Sequence, residues 1–109
     1  MPLPLWFYKF IPFGRKSEIE GAAFLRSQGF RIAASPYRTR QGEIDIVAWD
    51  GDVLVFVEVK ARTSDDAPED AVTPRKRQRV IRAARSYRAH YRLNDATYRF
   101  DIQIGRAHV

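Results

Sequence analysis

The stretch from Gly42 to Lys60 most constrains the fold: two apolar runs, residues 44–49 and 53–59, meet at Asp50-Gly51 and carry acids where strands usually carry apolar residues. Asp-Gly between apolar runs favours a two-residue type I′ turn, so the chain is expected to fold back there as a β-hairpin. With Asp50 and Gly51 at the tip, Trp49 is expected opposite Asp52, Asp45 opposite Phe56 and Glu43 opposite Glu58. Side chains alternate faces along a strand, which puts Glu43, Asp45, Glu58 and Lys60 on one face and Ile44, Ile46, Val53, Val55, Val57 and Val59 on the other. Asp45 and Glu58 become diagonal neighbours, roughly 7 Å apart at the backbone and closer at the side-chain tips.

Two carboxylates so placed repel unless a cation lies between them. Hard oxygen ligands suit Mg²⁺ or Mn²⁺, which take one or two carboxylates and keep several waters for substrate phosphate to replace. Lys60 adds a positive charge on the same face. Acid, acid and lysine together form a constellation for phosphodiester hydrolysis: the metal polarises a phosphoryl oxygen and acidifies a water, and the ammonium orients that water or stabilises developing charge. The ordinary alternative is a solvated strand face with a surface ion pair. Against it, three acids beside a strongly apolar hairpin destabilise the fold unless something compensates.

Gly42-Glu43-Ile44-Asp45, then Phe56-Val57-Glu58-Val59-Lys60 and Arg62, resemble the signature of the YraN-like proteins, small bacterial relatives of Holliday-junction resolvases and restriction endonucleases in the PD-(D/E)XK superfamily. Upstream, Glu18, Ala22, Leu25, Gly29 and Phe30 match that family's first helix and its exit. Downstream, Ala71-Val72, Lys76 and Arg99-Phe100-Asp101 match its second helix and last strand, so the resemblance covers roughly residues 17–104. It implies that Asp45, Glu58 and Lys60 correspond to the D…(D/E)XK motif, and Glu18 to an acidic residue that many members carry on the first helix. The motif's nominal proline is Ile44 here, a position that supplies no ligand.

A chain of 109 residues with 45% apolar content fits one compact domain. No cysteine is present, which removes disulfides, thiolate zinc sites and a thiol nucleophile and agrees with a reducing, cytoplasmic setting. The only histidines, His90 and His108, sit on an arginine-rich helix and next to the terminus, so a histidine-based centre is not expected.

The net charge of +6 points to a polyanionic partner, nucleic acid first. Much of that charge falls on a helix expected to begin with Thr73 as N-cap and Pro74 as first residue and to run to about Tyr91. On it Arg75, Arg79, Arg82 and Arg85 form a ridge opposite a packing stripe of Val80, Ala83, Ala84 and Tyr87, with Ile81 and Tyr91 nearby. No acid occurs from Arg75 to Asn94, so the ridge reads as a phosphate-binding face. A membrane surface is the lesser alternative, because the core already needs the apolar side.

Ser17 and Glu20 make a capping box for an earlier helix that stops at Gly29. Glu18 is left either to face the acidic cluster or to complement the helix dipole. A strand follows from Phe30 to Ala34 and ends at Ser35-Pro36; residues 63–72 read as an acidic loop; a last strand spans Thr97–Ile104. Residues 1–16 form an apolar, aromatic extension with three prolines before Phe13, too short and broken to span a membrane and without a signal-peptide pattern. Packing across the domain, association into a homodimer, and stacking on bases are its open uses.

The order helix, strand, strand, strand, helix, strand implies an α/β sandwich with a central mixed β-sheet flanked by helices. The resemblance implies the same restriction-endonuclease-like αβββαβ core, here as a single domain over residues 17–109. The function expected is a metal-dependent nuclease acting on DNA, branched or structured DNA included. Asp45 and Glu58 are the expected Mg²⁺ or Mn²⁺ ligands, with the Val59 carbonyl contributing. Lys60 is the electrostatic catalyst, Glu18 an auxiliary ligand or water-orienting group, and Glu43 a supporting neighbour. A catalytically silent nucleic-acid-binding module is the alternative, and a protein-interaction scaffold a third reading; DNA and RNA both stay open as partners.

Overall fold

The computed structural model describes residues 6–11, 18–62 and 73–106. In chain order they form β1 (Trp6–Ile11), α1 (Glu18–Ser27), β2 (Arg31–Ala34), β3 (Tyr37–Arg38), β4 (Glu43–Ile44), β5 (Ile46–Asp50), β6 (Val53–Arg62), α2 (Pro74–His90) and β7 (Tyr98–Arg106). Five strands build one sheet in the order β1-β7-β6-β5-β2, while β3 and β4 pair in a separate ribbon. The main sheet is mixed: β6 lies parallel to β7 and antiparallel to β5.

Each face of the sheet carries a helix. Leu54 and Phe56 of β6 join Val47, Phe100, Ile102 and Ile104 beneath Val80, Ala83, Ala84 and Tyr87 of α2. Val55, Val57 and Val59 join Ile46 and Ala48 beneath Ala22 and Leu25 of α1. A strand covered on both sides must be apolar at nearly every position, which is why residues 53–59 run apolar with a single interruption at Glu58. This is the flanked mixed-sheet sandwich expected from the sequence, in its restriction-endonuclease-like form. Among the described residues no helix is long and apolar enough to cross a membrane.

The helix ends follow their sequence signals. Thr73 is extended and accepts the Lys76 N–H at 3.2 Å, with Pro74 at the first helical position. At the other end Arg92 takes a left-handed φ of 56°. The Leu93 N–H then returns to the Arg88 carbonyl at 2.7 Å and the Arg92 N–H to that of Ala89 at 3.3 Å, a Schellman closure. Helix α1 closes at Gly29, where the Phe30 N–H reaches the Leu25 carbonyl at 3.0 Å. The Ser17 cap, the acidic loop of residues 63–72 and the family match at Ala71-Val72 lie outside the described residues.

The hairpin differs from expectation in register. Asp50 pairs with Val53 and Ile46 with Val57, so Gly51 and Asp52, not Asp50 and Gly51, form the turn. Gly51 has a φ of +59° and Asp52 has no positive φ, the requirement of a type II′ turn with glycine first rather than of type I′. The slip moves each pairing by two residues, an even number, so Asp45, Glu58 and Lys60 keep their parity. Ile44 does not keep its expected side: the strand breaks at Asp45, and Ile44 packs with the α2-side core rather than with Ile46. Glu43 consequently pairs with Arg38 in the β3–β4 ribbon and not with Glu58.

Residues 6–11, where the sequence suggests no strand, lie parallel beside β7, with Trp6 opposite Phe100 and Ile11 opposite Gly105. At the other end of β7, Arg99 donates through Nε to Asp101 Oδ1 at 3.1 Å and through a terminal nitrogen to Asp50 Oδ2 at 3.0 Å. That bracket ties β7 to the β5–β6 turn and assigns Arg99 and Asp101 a structural job.

The β3–β4 ribbon is held against α2 by a backbone contact. Thr39 Oγ1 accepts the Gln41 and Gly42 N–H groups, both at 3.1 Å, and turns the loop so that Gly42 faces the helix. A Cβ on Gly42 would lie 2.2 Å from the Arg79 carbonyl oxygen. Gly42→Ala is expected to destabilise the protein by about 1–3 kcal/mol, because the clash is with helix backbone and no side chain can turn away. Chemical denaturation checks this, and an unchanged midpoint would contradict the contact.

Candidate functional site

Parallel neighbours β6 and β7 are joined by α2, so the helix runs back across the sheet and its N-terminus returns to the C-terminal end of β6. Glu58 sits near that end. On the next strand Asp45 occupies the break between β4 and β5, where the β5–β6 ladder has just ended at Ile46 and Val57. Its side chain continues the ladder in place of backbone: Asp45 Oδ2 accepts the Val59 N–H at 2.9 Å. The Asp45 N–H in turn points to Glu58 Oε1 at 3.4 Å, and Ser35 Oγ donates to the Asp45 carbonyl at 3.1 Å. The two acids are therefore direct neighbours, closer than the diagonal placement expected from the sequence, and both are buried.

They form the floor of a cleft of about 600 Å³ lined by Glu43, Asp45, Glu58, Thr73, Arg75, Lys76, Arg79 and Val80. One side is acidic and the other is the basic first two turns of α2, which carries no acid in its first turn. Of the arginine ridge, Arg75 and Arg79 line this cleft, whereas Arg82 and Arg85 lie farther along the exposed side of α2. Lys60 is exposed two residues beyond Glu58 on β6 and is not among the described lining residues. Glu43, half-exposed, lines the cleft and also meets Arg38 at 3.4 Å, a surface pair of small energetic weight. Gly21 in α1 lies against Val59 and Ile46, which puts the start of that helix, and the backbone of Glu18, at this end of the sheet. The Glu18 side chain lies outside the described residues.

Lys76 is the residue that sequence reasoning left out of the site. Its ammonium stands 3.1 Å from Glu58 Oε2, with the lysine side chain 47% exposed and the glutamate 3%. The signal was present: Lys76 lies one turn before Val80, on the stripe shared by Val80, Ala83, Ala84 and Tyr87, so it starts from the sheet-facing side of the helix. The 3.1 Å approach makes Lys76 the cationic partner of a buried Glu58 oxygen.

Burial, reinforced by the Asp45 charge, pushes the Glu58 carboxyl from 4.5 up to about 7, against the opposing pull of Lys76. For Lys76 partial burial pulls the ammonium down, but the Glu58 and Asp45 charges outweigh it and the net shift is upward. An oxygen-only pair of buried carboxylates, offset by a single half-exposed ammonium, fits a hard divalent cation that keeps most of its waters. Among the described residues no group of three or more acidic, histidine or cysteine side chains converges. Asp45 and Glu58 are thus the side chains available to such an ion, and the Val59 carbonyl is beside them in sequence.

A mixed sheet with a helix on each face gives the chain the α/β sandwich of the restriction-endonuclease-like class. The sequence pattern of Uncharacterised protein family UPF0102 matches residues 17–104, and the chain belongs to that family, the YraN-like proteins. It is 43% identical over 91 residues to a UPF0102 protein of Chlorobium limicola, covering 82% of this chain and 70% of the relative. A UPF0102 protein of Bradyrhizobium diazoefficiens is 47% identical over 92 residues, covering 84% and 69%. One of Chlorobium phaeobacteroides is 43% identical over 103 residues, covering 91% and 82%.

A carboxyl that titrates at 4.5 unfolded and near 7 folded adds stability that is fully present below pH 4.5 and is lost as the pH rises to about 7. Metal-free wild type is therefore expected to lose stability relative to Glu58→Gln over that interval, by on the order of 3 kcal/mol, and to run parallel to it above. Urea denaturation of both proteins from pH 4 to pH 8 measures the difference; a constant gap across the range would contradict the raised titration.

Proposed function

We propose that this protein is a metal-dependent phosphodiesterase acting on nucleic acid, with DNA as the first substrate class. The observation that carries the reading is the meeting of Asp45 and Glu58 on the floor of a cleft whose other side is Arg75, Lys76 and Arg79. In this reading Asp45 and Glu58, with the Val59 carbonyl, hold Mg²⁺ or Mn²⁺. The bound ion supplies Lewis acidity toward a phosphoryl oxygen and a water acidified for attack. The chain's own groups do the rest. Arg75 and Arg79 bind the backbone phosphates beside the cleft, where the positive end of α2 adds to their field. The Val59 N–H fixes the Asp45 carboxylate, and the Asp45 N–H leans on Glu58, so each acid is oriented before a ligand arrives. Lys60, exposed near the end of β6, is in this reading the group that meets charge developing on a scissile phosphate brought over that strand end.

A second reading, a binding module without turnover, draws on one observation: Lys60 stands outside the described lining of the cleft. Cleavage separates the two. Purified protein is expected to nick or cut branched DNA with Mn²⁺ or Mg²⁺ and to stop with EDTA, and Glu58→Ala is expected to lose at least about a hundredfold in rate while still binding DNA. Undiminished cleavage by Glu58→Ala would remove the acid pair from the chemistry; DNA binding with no metal-dependent cleavage by wild type would select the silent module.

The interface is tested by salt dependence. Each arginine–phosphate contact contributes roughly one unit to the slope of log affinity against log salt, so Arg75→Ala with Arg79→Ala is expected to flatten that slope by about two. The pair Arg82→Ala and Arg85→Ala, away from the cleft, is expected to change it less. The reverse order would move the interface along α2.

A further inference from the structure

Lys76 does not fit the role of a passive structural lysine. It occupies the packing stripe of α2, yet its side chain is half-exposed, and its ammonium stands 3.1 Å from the buried Oε2 of Glu58. The acid is buried, whereas about half of the lysine side chain is open to solvent, so the cation can leave without unpacking the core. Lys76 lines the same cleft as Arg75 and Arg79.

We propose that Lys76 is an exchangeable cation: its ammonium offsets the Asp45–Glu58 charge when no metal is bound, and a divalent ion displaces it to the cleft rim, where it joins Arg75 and Arg79 in binding phosphate. The proposal rests on the reading of Asp45 and Glu58 as metal ligands and adds a coupling that this reading does not contain. A divalent ion that takes Glu58 Oε2 would share that oxygen with the resident ammonium, a repulsion relieved when the flexible lysine moves out. Once outside, it raises the positive charge of the phosphate-facing rim. Metal and polyanion thus bind with positive cooperativity, and by linkage each tightens the other by the same factor.

The test measures Mn²⁺ binding by calorimetry, and binding of a fluorescent DNA duplex by anisotropy with and without Ca²⁺, chosen to load the site without supporting turnover. Lys76→Met is expected to bind Mn²⁺ roughly tenfold more tightly than wild type, since nothing need be displaced. Lys76→Arg, which keeps the charge, is expected to stay within about threefold of wild type. Wild type is expected to bind the duplex on the order of fivefold more tightly with Ca²⁺, a gain that Lys76→Met lacks. If Lys76→Met does not fold, Lys76→Gln gives the same comparison with a neutral group able to hydrogen-bond Glu58. Equal or weaker Mn²⁺ binding by the neutral variants would overturn the exchange while leaving the metal site standing. Absence of Mn²⁺ binding by every variant and by wild type would overturn both, and an undiminished Ca²⁺ effect on duplex binding in the neutral variants would remove Lys76 from the coupling.

Discussion

Glu58 is the point on which this structure turns. It is the single acid in a strand otherwise apolar from Val53 to Val59, buried under α2, and the surrounding parts are arranged to make its presence tolerable. Burying a carboxylate is unfavourable unless it is paired or protonated. Both responses are visible: the carboxyl titrates near neutrality, and Lys76 descends from the helix to stand beside it. The parallel β6–α2–β7 connection brings that lysine there, because it returns the positive end of the helix to the end of the strand where the acid sits. An apolar residue at position 58 would pack as well as its neighbours do. The acid destabilises the core around it, and the packing alone gives no reason for its presence.

The same logic separates what could be read from the chain from what could not. The parity of residues 53–60 was legible because alternation needs no knowledge of the partner strand, and the packing stripe of α2 emerged at Val80, Ala83, Ala84 and Tyr87 as the 3.6-residue period requires. Register was not. Asp50-Gly51-Asp52 contains two turn dipeptides, and which one takes the turn depends on where the positive φ falls, a choice settled by pairing across the whole hairpin. The break at Asp45, which sends Ile44 to the α2 side and lets a carboxylate replace a ladder bond, depends on contacts with Ser35 and Val59 that are distant in sequence.

At one further residue a pattern was present and went unused. Lys76 lay on the apolar stripe by simple spacing, but reading the basic residues as one ridge drew attention to the arginines and away from the lysine facing inward. Strand β1 carried no alternation or turn signal that distinguishes it from an apolar tail, and it is held in register by backbone pairing to β7. Of the expected site, Asp45, Glu58, Arg75 and Arg79 converge around one cleft, with Glu43 at its edge. Lys60 and the ridge beyond Arg79 stand outside its described lining.

The meeting of Gly42 with the Arg79 carbonyl has a consequence for what the cleft can discriminate. One side of the cleft continues into the β3–β4 ribbon and the other is α2, and the two touch backbone to backbone where the ribbon crosses the helix. The separation of acid from arginine is thereby gauged by main-chain atoms, which cannot change rotamer. Side chains such as Lys76 and Arg75 are therefore carried on a frame whose width the ribbon–helix contact helps to set. Any family member with a bulkier residue at this glycine would need a displaced helix, and with it a cleft of different aperture.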